Sequence, residues 1–355
     1  MPSIPPGLGL PAFRPRFPWW GGDLQTLRDT ARPPHLPAER SRRLEIPIGD
    51  DDRLLAFLDL PGNQAPCGVV LVLHGLGGGA DGVGPRRLAL ALQEEGFAVL
   101  RLNLRGAGPG RPLARGTYAA QCSRDLVPVL RQARAWAEEL GAAAEGAGRP
   151  LPLYGAGTSL GGTILLNLCL DPRLPLESGR PALDGLVCIS SPLDLAACAI
   201  QFERPRNALY QHWLVERLCR QTLADPFGLA EGERRALCGG DRPRTIRAFD
   251  AAITAPRWGY ASVGAYYAGA SPGPRLVAGA PLPPTLLLHA ADDPWVPAGA
   301  ALALAAMPPE TRPAGLEVVV PLRGGHNGFH APGDREFGCW SDLLTTRWLR
   351  RRACG

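Results

Sequence analysis

The chain has 355 residues, 45% apolar and 20% charged, enough for one large α/β domain with insertions or two smaller domains and too apolar for wholesale disorder. Its formal charge is +5, from 38 basic and 33 acidic residues, and every basic residue is an arginine. That bias, beside abundant Gly and Pro, reads as GC-rich coding, so no nucleic-acid partner is expected.

No apolar run approaches the roughly 18 residues of a membrane span. The first 20 residues lack the basic start and apolar stretch of a secretory leader. The nine cysteines contain no C-x-x-C pair, which speaks against a zinc site or a thioredoxin-type motif. Together these features predict a cytoplasmic protein with reduced thiols. Cys169 and Cys188 read as small buried hydrophobes.

In chain order, residues 1–42 read as an irregular, Pro/Arg-rich arm that packs on the core. Its aromatic group, Phe13, Phe17, Trp19 and Trp20, leaves room for peripheral lipid contact as the lesser reading. Strand patterns at 43–47 and 54–60, with Gly49 and Asp50 to Asp52 between them, predict a hairpin. Val69–Leu73 is a continuous β-branched and leucine run. It is followed by a glycine-rich loop, a helix opened by Pro85 and closed by Gly96, and a strand at 97–102. Such a β-α-β unit belongs in a parallel sheet buried on both faces. The alternation continues with a helix at 125–140, where Pro128 is tolerable in a first turn, a strand at 151–154 and a helix at Leu160–Leu170. Further strands are expected at 186–190, 285–290 and 316–321, and a last amphipathic helix at 337–351. Arg350, Arg351 and Arg352 read as its solvated end, where cations suit the helix dipole.

Between 193 and 283 the alternation breaks. Helical patterns at 208–220 and 243–253 occur there with no convincing strand. The expected organisation is therefore an amino-terminal arm (1–42), an α/β core (43–192 and 284–355) and a helical cap insertion (193–283). In a mostly parallel sheet with helices on both faces, active sites form at the carboxyl ends of the strands.

The strongest chemical signal is Gly157-Thr158-Ser159-Leu160-Gly161. About 0.15 accidental G-x-S-x-G matches are expected from this composition, so context matters. A short strand precedes the string and an apolar helix follows, the strand–turn–helix setting that lifts a nucleophilic serine out of a sheet. A serine hydroxyl needs a positioned base. His326, in Gly324-Gly325-His326-Asn327-Gly328 just past the last strand, is the preferred candidate, with His330 its competitor in the same loop. An acid must orient the imidazole. The strand at 285–290 runs into Asp292-Asp293-Pro294-Trp295-Val296-Pro297, where Asp293 is favoured by its spacing from Pro297 and Asp292 is the alternative. Ser159, Asp293, His326 is the Ser…Asp…His order of α/β hydrolases.

A tetrahedral intermediate needs aimed N–H donors. Leu160, after the serine, should supply one. Leu76, in His74-Gly75-Leu76-Gly77-Gly78-Gly79, should supply the other, with Gly77 as the fallback. His74 reads as an organiser of that loop. The glycine string lacks the features of a nucleotide cradle, and neither metal nor organic cofactor is expected.

With these residues in view, the chain resembles the YheT-like α/β hydrolases. Phe13-Arg14-Pro15 and Gly22-Asp23-Leu24-Gln25-Thr26-Leu27 are similar to the family's amino-terminal phrase. Leu73-His74-Gly75-Leu76-Gly77-Gly78 is similar to its oxyanion loop, and Asn103-Leu104-Arg105-Gly106 to its Asn-x-Arg-Gly. Thr245-Ile246-Arg247-Ala248-Phe249-Asp250, Ile253-Thr254 and Tyr266-Tyr267 resemble its insertion signature. The resemblance implies an α/β-hydrolase fold and a serine carboxylic ester hydrolase acting on small-molecule acyl esters, short- to medium-chain or glycerolipid-type. Ser159, Asp293 and His326 would form the triad. Acyl transfer to an alcohol and non-catalytic ligand binding are the alternative functions. For Asn103, Arg105 and Asp250, structural hydrogen bonding is favoured over substrate contact.

Overall fold

A computed structural model describes residues 4–62, 64–143, 150–174, 181–240, 242–335 and 337–354. The first three residues of the expected arm and the last of the expected core lie outside them. Within residues 1–42, read above as irregular, α1 (Gly22–Ala31) forms. The only residue it buries is Gln25, so no apolar stripe marks it in the sequence. The hairpin follows as β1 (Arg42–Gly49) and β2 (Asp52–Asp59). Asp50 and Asp51 turn it at φ of 52° and 63°, a left-handed conformation that short Asp side chains tolerate.

The remaining strands are β3 (Val69–Leu73), β4 (Ala98–Leu102), β5 (Leu153–Thr158), β6 (Gly185–Ile189), β7 (Thr285–Leu288) and β8 (Leu316–Val319). They make one eight-stranded sheet in the order β1-β2-β4-β3-β5-β6-β7-β8. β1, β2 and β4 pair antiparallel, and every pairing from β4 to β8 is parallel. α2 (Val83–Glu94), α3 (Ser123–Ala143) and α4 (Leu160–Leu170) connect the parallel strands. The apolar run of β3 is read by both faces, as the two-residue period of a strand requires. Val69, Leu71 and Leu73 pack with Leu126 and Leu130 of α3 and Ile164 of α4. Val70 and Val72 pack with Leu88 and Leu92 of α2.

Several element ends differ from the sequence reading. β5 extends through two glycines to Thr158, because Gly155 and Gly157 pair with Leu71 and Leu73 of β3, and a Cβ at Gly155 would lie 2.7 Å from Leu183. Glycine here reflects close packing, not the breaker it suggests in sequence. Pro128 lies beyond the first turn of α3.

Between β6 and β7 the chain is helical: α5 (Leu195–Phe202), α6 (Ala208–Leu223), α7 (Glu231–Cys238), α8 (Ile246–Phe249), α9 (Ala255–Arg257), α10 (Val263–Ala270) and α11 (Gly273–Val277). The helix expected at 243–253 begins at Ile246 as α8 and runs without a break through a π-helical turn at Asp250–Thr254 into α9, so only its start and its hydrogen-bond register differ from the expectation. Phe202, Leu214, Leu218, Phe249 and Ile253 share a small apolar cluster of their own above the sheet.

After β7 come α12 (Gly299–Ala306) and α13 (Trp340–Ala353), so the last helix begins three residues later than expected. Trp340, Leu344 and Trp348 of α13 join the α2 side of the core. Its terminal arginines are not simply solvated. Arg351 and Arg352 hold Glu317 of β8 at 2.9 and 2.8 Å, and Arg352 lies 4.3 Å over the Trp348 ring. Phe13 of the arm packs against Phe329 and Trp340, and Trp19 is buried, whereas Phe17 and Trp20 are exposed. All nine cysteines are unpaired; Cys188 is buried and Cys169 is half-buried. Among the described residues, no helix is long and apolar enough to cross a membrane.

Candidate active site

Ser159 sits between β5 and α4 at φ 52°, ψ −128°, a strained conformation for a residue with a Cβ. Its neighbours show why the turn needs glycine. A Cβ on Gly157 would lie 2.4 Å from Gly162 N, and one on Gly161 would lie 2.5 Å from Leu73 O and 2.6 Å from His74 O. Gly75 faces the serine itself, with a built Cβ 3.0 Å from Ser159 Cβ. The sharp turn therefore presses helix, strand and the loop after β3 into contact, and leaves the Ser159 side chain at the N-terminal, positive end of α4.

The two distant partners converge on it. His326 Nε2 lies 2.9 Å from Ser159 Oγ, and His326 Nδ1 lies 2.8 Å from Asp293 Oδ2. An ionised carboxylate only accepts, so Nδ1 carries the hydrogen and Nε2 is left to accept from the serine hydroxyl. The other Asp293 oxygen, Oδ1, accepts from Trp295 N–H (2.8 Å) and Val296 N–H (2.9 Å). Burial pushes the Asp293 carboxyl up, but the His326 charge and hydrogen bond, with help from His289 and the Val296 amide, outweigh it and hold it below the usual range. The Trp295 ring stacks on His326, with centroids 4.6 Å apart.

The competing candidates lie elsewhere. Asp292 Oδ1 accepts from Gly325 N–H at 2.9 Å, which ties it to the backbone of the histidine loop. His330 faces Asp29 and Asp334 at 3.4 and 3.6 Å. Both are neighbours of the constellation and neither touches Ser159.

Leu76 and Leu160 line the same cavity as Ser159 and His326. Leu160 opens α4, where a helix has no internal acceptor for its first N–H groups. The fallback donor is already engaged, since Gly77 N–H donates to Tyr118 Oη at 2.8 Å. Tyr118 in turn donates to Gly75 O at 3.2 Å, and Arg217 Nε donates to Gly77 O. His74 braces the base of this loop, with Nδ1–H on Gly75 O (2.8 Å) and Nε2 accepting from Leu104 N–H (3.2 Å). Burial lowers its pKa to about 4, so it is neutral and fixed in one tautomer. Asn103 Oδ1 accepts from Ala80 N–H at 2.9 Å. Arg105 binds Asp125 at 2.7 and 2.9 Å and also reaches Asp52. Both are parts of the scaffold.

Three contributors lacked a chemical signal in the sequence. Thr26 Oγ1 accepts from His326 N–H at 2.8 Å. Gln25 grips the same loop, donating to His330 O (3.1 Å) and accepting from His330 N–H (2.7 Å). Trp295, read only as part of the acid's phrase, is the ring against the imidazole. The Leu24-Gln25-Thr26 phrase was visible as a pattern, but nothing local says that it reaches a loop 300 residues away.

The cavity at the serine, of about 150 Å³, is roofed by the helices between β6 and β7 and lined mainly by apolar side chains, among them Leu195, Phe202, Leu214, Leu218 and Phe249. Among the described residues no group of three or more His, Cys, Asp or Glu is placed to hold a metal ion. The arrangement is that of a hydroxyl held against an imidazole–carboxylate pair at the mouth of an apolar chamber.

A profile of the alpha/beta hydrolase fold matches residues 68–331. A protein of Escherichia coli (strain K12) named as an esterase, YheT, is 31% identical over 319 residues, covering 87% of this chain and 84% of its own length. Phospholipase ABHD3 of Homo sapiens is 26% identical over 323 residues, covering 87% of this chain and 71% of its own. Among solved structures, a soluble variant of monoglyceride lipase from Saccharomyces cerevisiae superposes with a TM-score of 0.56 at 17% identity, covering 90% of this chain and 98% of its own.

Proposed function

The chain belongs to the α/β-hydrolase family and, within it, to the YheT-like group, and on that footing we propose that it is a serine carboxylic ester hydrolase acting on esters of acyl chains. Its relatives carry esterase and phospholipase names, which supports a hydrolase. The observation that carries the finer reading is the unbroken relay from Ser159 Oγ through His326 to Asp293, with links of 2.9 and 2.8 Å.

Ser159 Oγ attacks the ester carbonyl carbon as His326 Nε2 takes its proton. Asp293 stabilises the imidazolium and keeps the ring aligned. The N–H groups of Leu160 and Leu76 hold the oxyanion. The tetrahedral intermediate collapses, His326 returns the proton to the leaving alkoxide, and the alcohol departs. Water then attacks the acyl-enzyme by the same steps and frees the acid. No cofactor enters the sequence. The apolar chamber under the residue 193–283 cap suits an acyl chain. Nine unpaired cysteines support a reducing setting such as the cytoplasm.

A fluorophosphonate probe tests the reading. The parent chain should be labelled at Ser159 and should hydrolyse p-nitrophenyl esters graded by chain length. Ser159→Ala should lose both properties. Equal labelling of the variant would overturn the assignment. Release of ethyl ester in place of free acid, with ethanol added, would identify acyl transfer.

A further inference from the structure

The chamber beside Ser159 contains one carboxylate among its described lining residues, and it is Asp250. Its position is unusual in three ways. It lies in a cavity otherwise suited to hydrocarbon, with Phe249 beside it in sequence and Tyr266 and Tyr267 among its walls. Among the described residues, no arginine or histidine is within ion-pair distance of it. It begins the π-helical turn that interrupts the cap after α8, a local irregularity that occurs often at functional sites because it re-aims a side chain at a cost in helix regularity.

The carboxylate is held from behind. Thr254 Oγ1 donates to Asp250 Oδ1 at 2.7 Å, and Tyr267 Oη donates to Asp250 Oδ2 at 2.9 Å. Each oxygen thus receives one protein hydrogen bond. A carboxylate has about four acceptor positions, so roughly two remain for whatever enters the chamber. Burial raises its pKa to about 6, against the pull of the two hydrogen bonds; it is therefore largely ionised at neutral pH without a countercharge. A purely structural group in this place would be less costly as Asn or Ser, because a carboxylate without a countercharge at the wall of an apolar chamber is costly to desolvate. The structural hydrogen bonding expected of Asp250 is present in its contacts with Thr254 and Tyr267, and the remaining acceptor positions are additional to it.

We propose that Asp250 determines specificity by accepting a hydrogen bond from the substrate, so that the preferred ester carries a hydrogen-bond-donating group, a hydroxyl or a protonated amine, and not alkyl chains alone. This rests on the hydrolase reading above and names the kind of ester that it takes. An uncharged alkyl end placed against Asp250 strips water from the carboxylate and returns nothing. A donor replaces that water. Hydrogen bonds to an ionised group are worth enough to separate matched substrates by about tenfold or more.

Four esters test this on the full chain. Propyl octanoate is the reference. 3-Hydroxypropyl octanoate carries a hydroxyl on the alcohol side, propyl 8-hydroxyoctanoate carries one on the acyl end, and 2-dimethylaminoethyl octanoate carries a protonated amine. At least one donor ester should exceed the reference in kcat/KM by about tenfold, and the one that does locates the donor. In Asp250→Asn that ratio should collapse by about tenfold, mostly through KM. Labelling of the variant by the fluorophosphonate probe shows that its serine site is still assembled.

If no donor ester exceeds the reference in the parent chain, the inference falls without any variant being needed. It also falls if Asp250→Asn lowers all four esters by one common factor, the signature of a merely structural group. A parent chain that is labelled by nothing and cleaves none of the four overturns the hydrolase reading, and this inference with it. One that cleaves all four without preference overturns the inference alone.

Discussion

Removing the Thr26 hydroxyl should disable the histidine loop from the other end of the chain. Thr26 lies in α1, and its Oγ1 accepts from His326 N–H at 2.8 Å while donating to Gly22 O at 2.7 Å. Thr26→Val keeps the branched shape and deletes only that oxygen. The His326 amide, in a buried residue, then lacks its acceptor, which costs about 1–3 kcal/mol. There is little room for the loop to recover. A Cβ on Gly325 would lie 2.2 Å from Gly22 O, and one on Gly328 would lie 2.6 Å from Gln25 O. Loop and α1 are thus pressed backbone to backbone, and the loop can regain a partner for its amide only by moving away from α1.

Such a movement takes His326 Nε2 away from Ser159 Oγ. If the whole penalty is avoided by adopting a displaced loop, the aligned conformation becomes about 5- to 150-fold rarer, and the rate falls by that factor with KM little changed. The assay is second-order labelling by the fluorophosphonate probe, alongside kcat and KM on a p-nitrophenyl ester and a urea unfolding curve. Thr26→Ser, which retains the oxygen, should recover most of the lost rate. Parent-like labelling of Thr26→Val would refute the reasoning, as would an equal loss in Thr26→Ser.

The two neighbouring aspartates should separate clearly. Asp293→Asn, which removes the charge beside the His326 ring, should lower kcat by about 10⁴-fold, whereas Asp292→Asn retains an amide oxygen for Gly325 N–H and should cost less than tenfold; equal effects in steady-state kinetics would reverse the assignment of the acid. Gly161→Ala places a Cβ within 2.6 Å of two backbone oxygens, so it should destabilise the chain by more than about 3 kcal/mol and yield little folded protein by circular dichroism; a normal unfolding midpoint would contradict the packed turn. The His74 imidazole, lowered by burial to about 4 from about 6.5 in the unfolded chain, makes the unfolded state bind more protons between those values. Its stability contribution is therefore complete above about pH 6.5 and is lost as pH falls toward 4. The gap corresponds to about 3 kcal/mol, so the parent chain should lose about that much more than His74→Gln between pH 7.5 and 4 in urea titrations, and parallel losses would refute it.

What could be read from the chain follows from how local each determinant is. Val69–Leu73 announces a buried central strand because both of its faces are covered, which removes polar alternation from the sequence itself. Gly157 and Gly161 announce the elbow because the collisions they avoid involve residues close in chain or on the adjoining strand. His326 and Asp293 stand out through position in an expected order of strands, a topological signal, and the structure brings both to Ser159. Spacing favours Asp293 over Asp292 without excluding the latter, because adjacent residues at a strand end point in different directions, and only the backbone path decides which carboxylate meets the imidazole.

The parts that stayed hidden are held by polar contacts between segments remote in sequence. α1 buries only Gln25, and that side chain is satisfied by Trp19 O and both backbone groups of His330. Its place is thus fixed by hydrogen bonds to a loop that the sequence cannot bring near it, and hydrophobic periodicity is silent. The same holds in the cap. Ile246 and Phe249 lie on the apolar face expected of a helix, but from Asp250 to Thr254 the helix widens into a π turn, a change of hydrogen-bond register that no apolar period records. A periodic pattern predicts the regular element, and the residue at which the departure begins, Asp250, is bonded to a tyrosine in α10, remote from it in sequence. The residues that set the histidine and shape the chamber are therefore those for which local propensity and tertiary demand disagree, and it is at such positions that function is expected to have overridden the simpler fold.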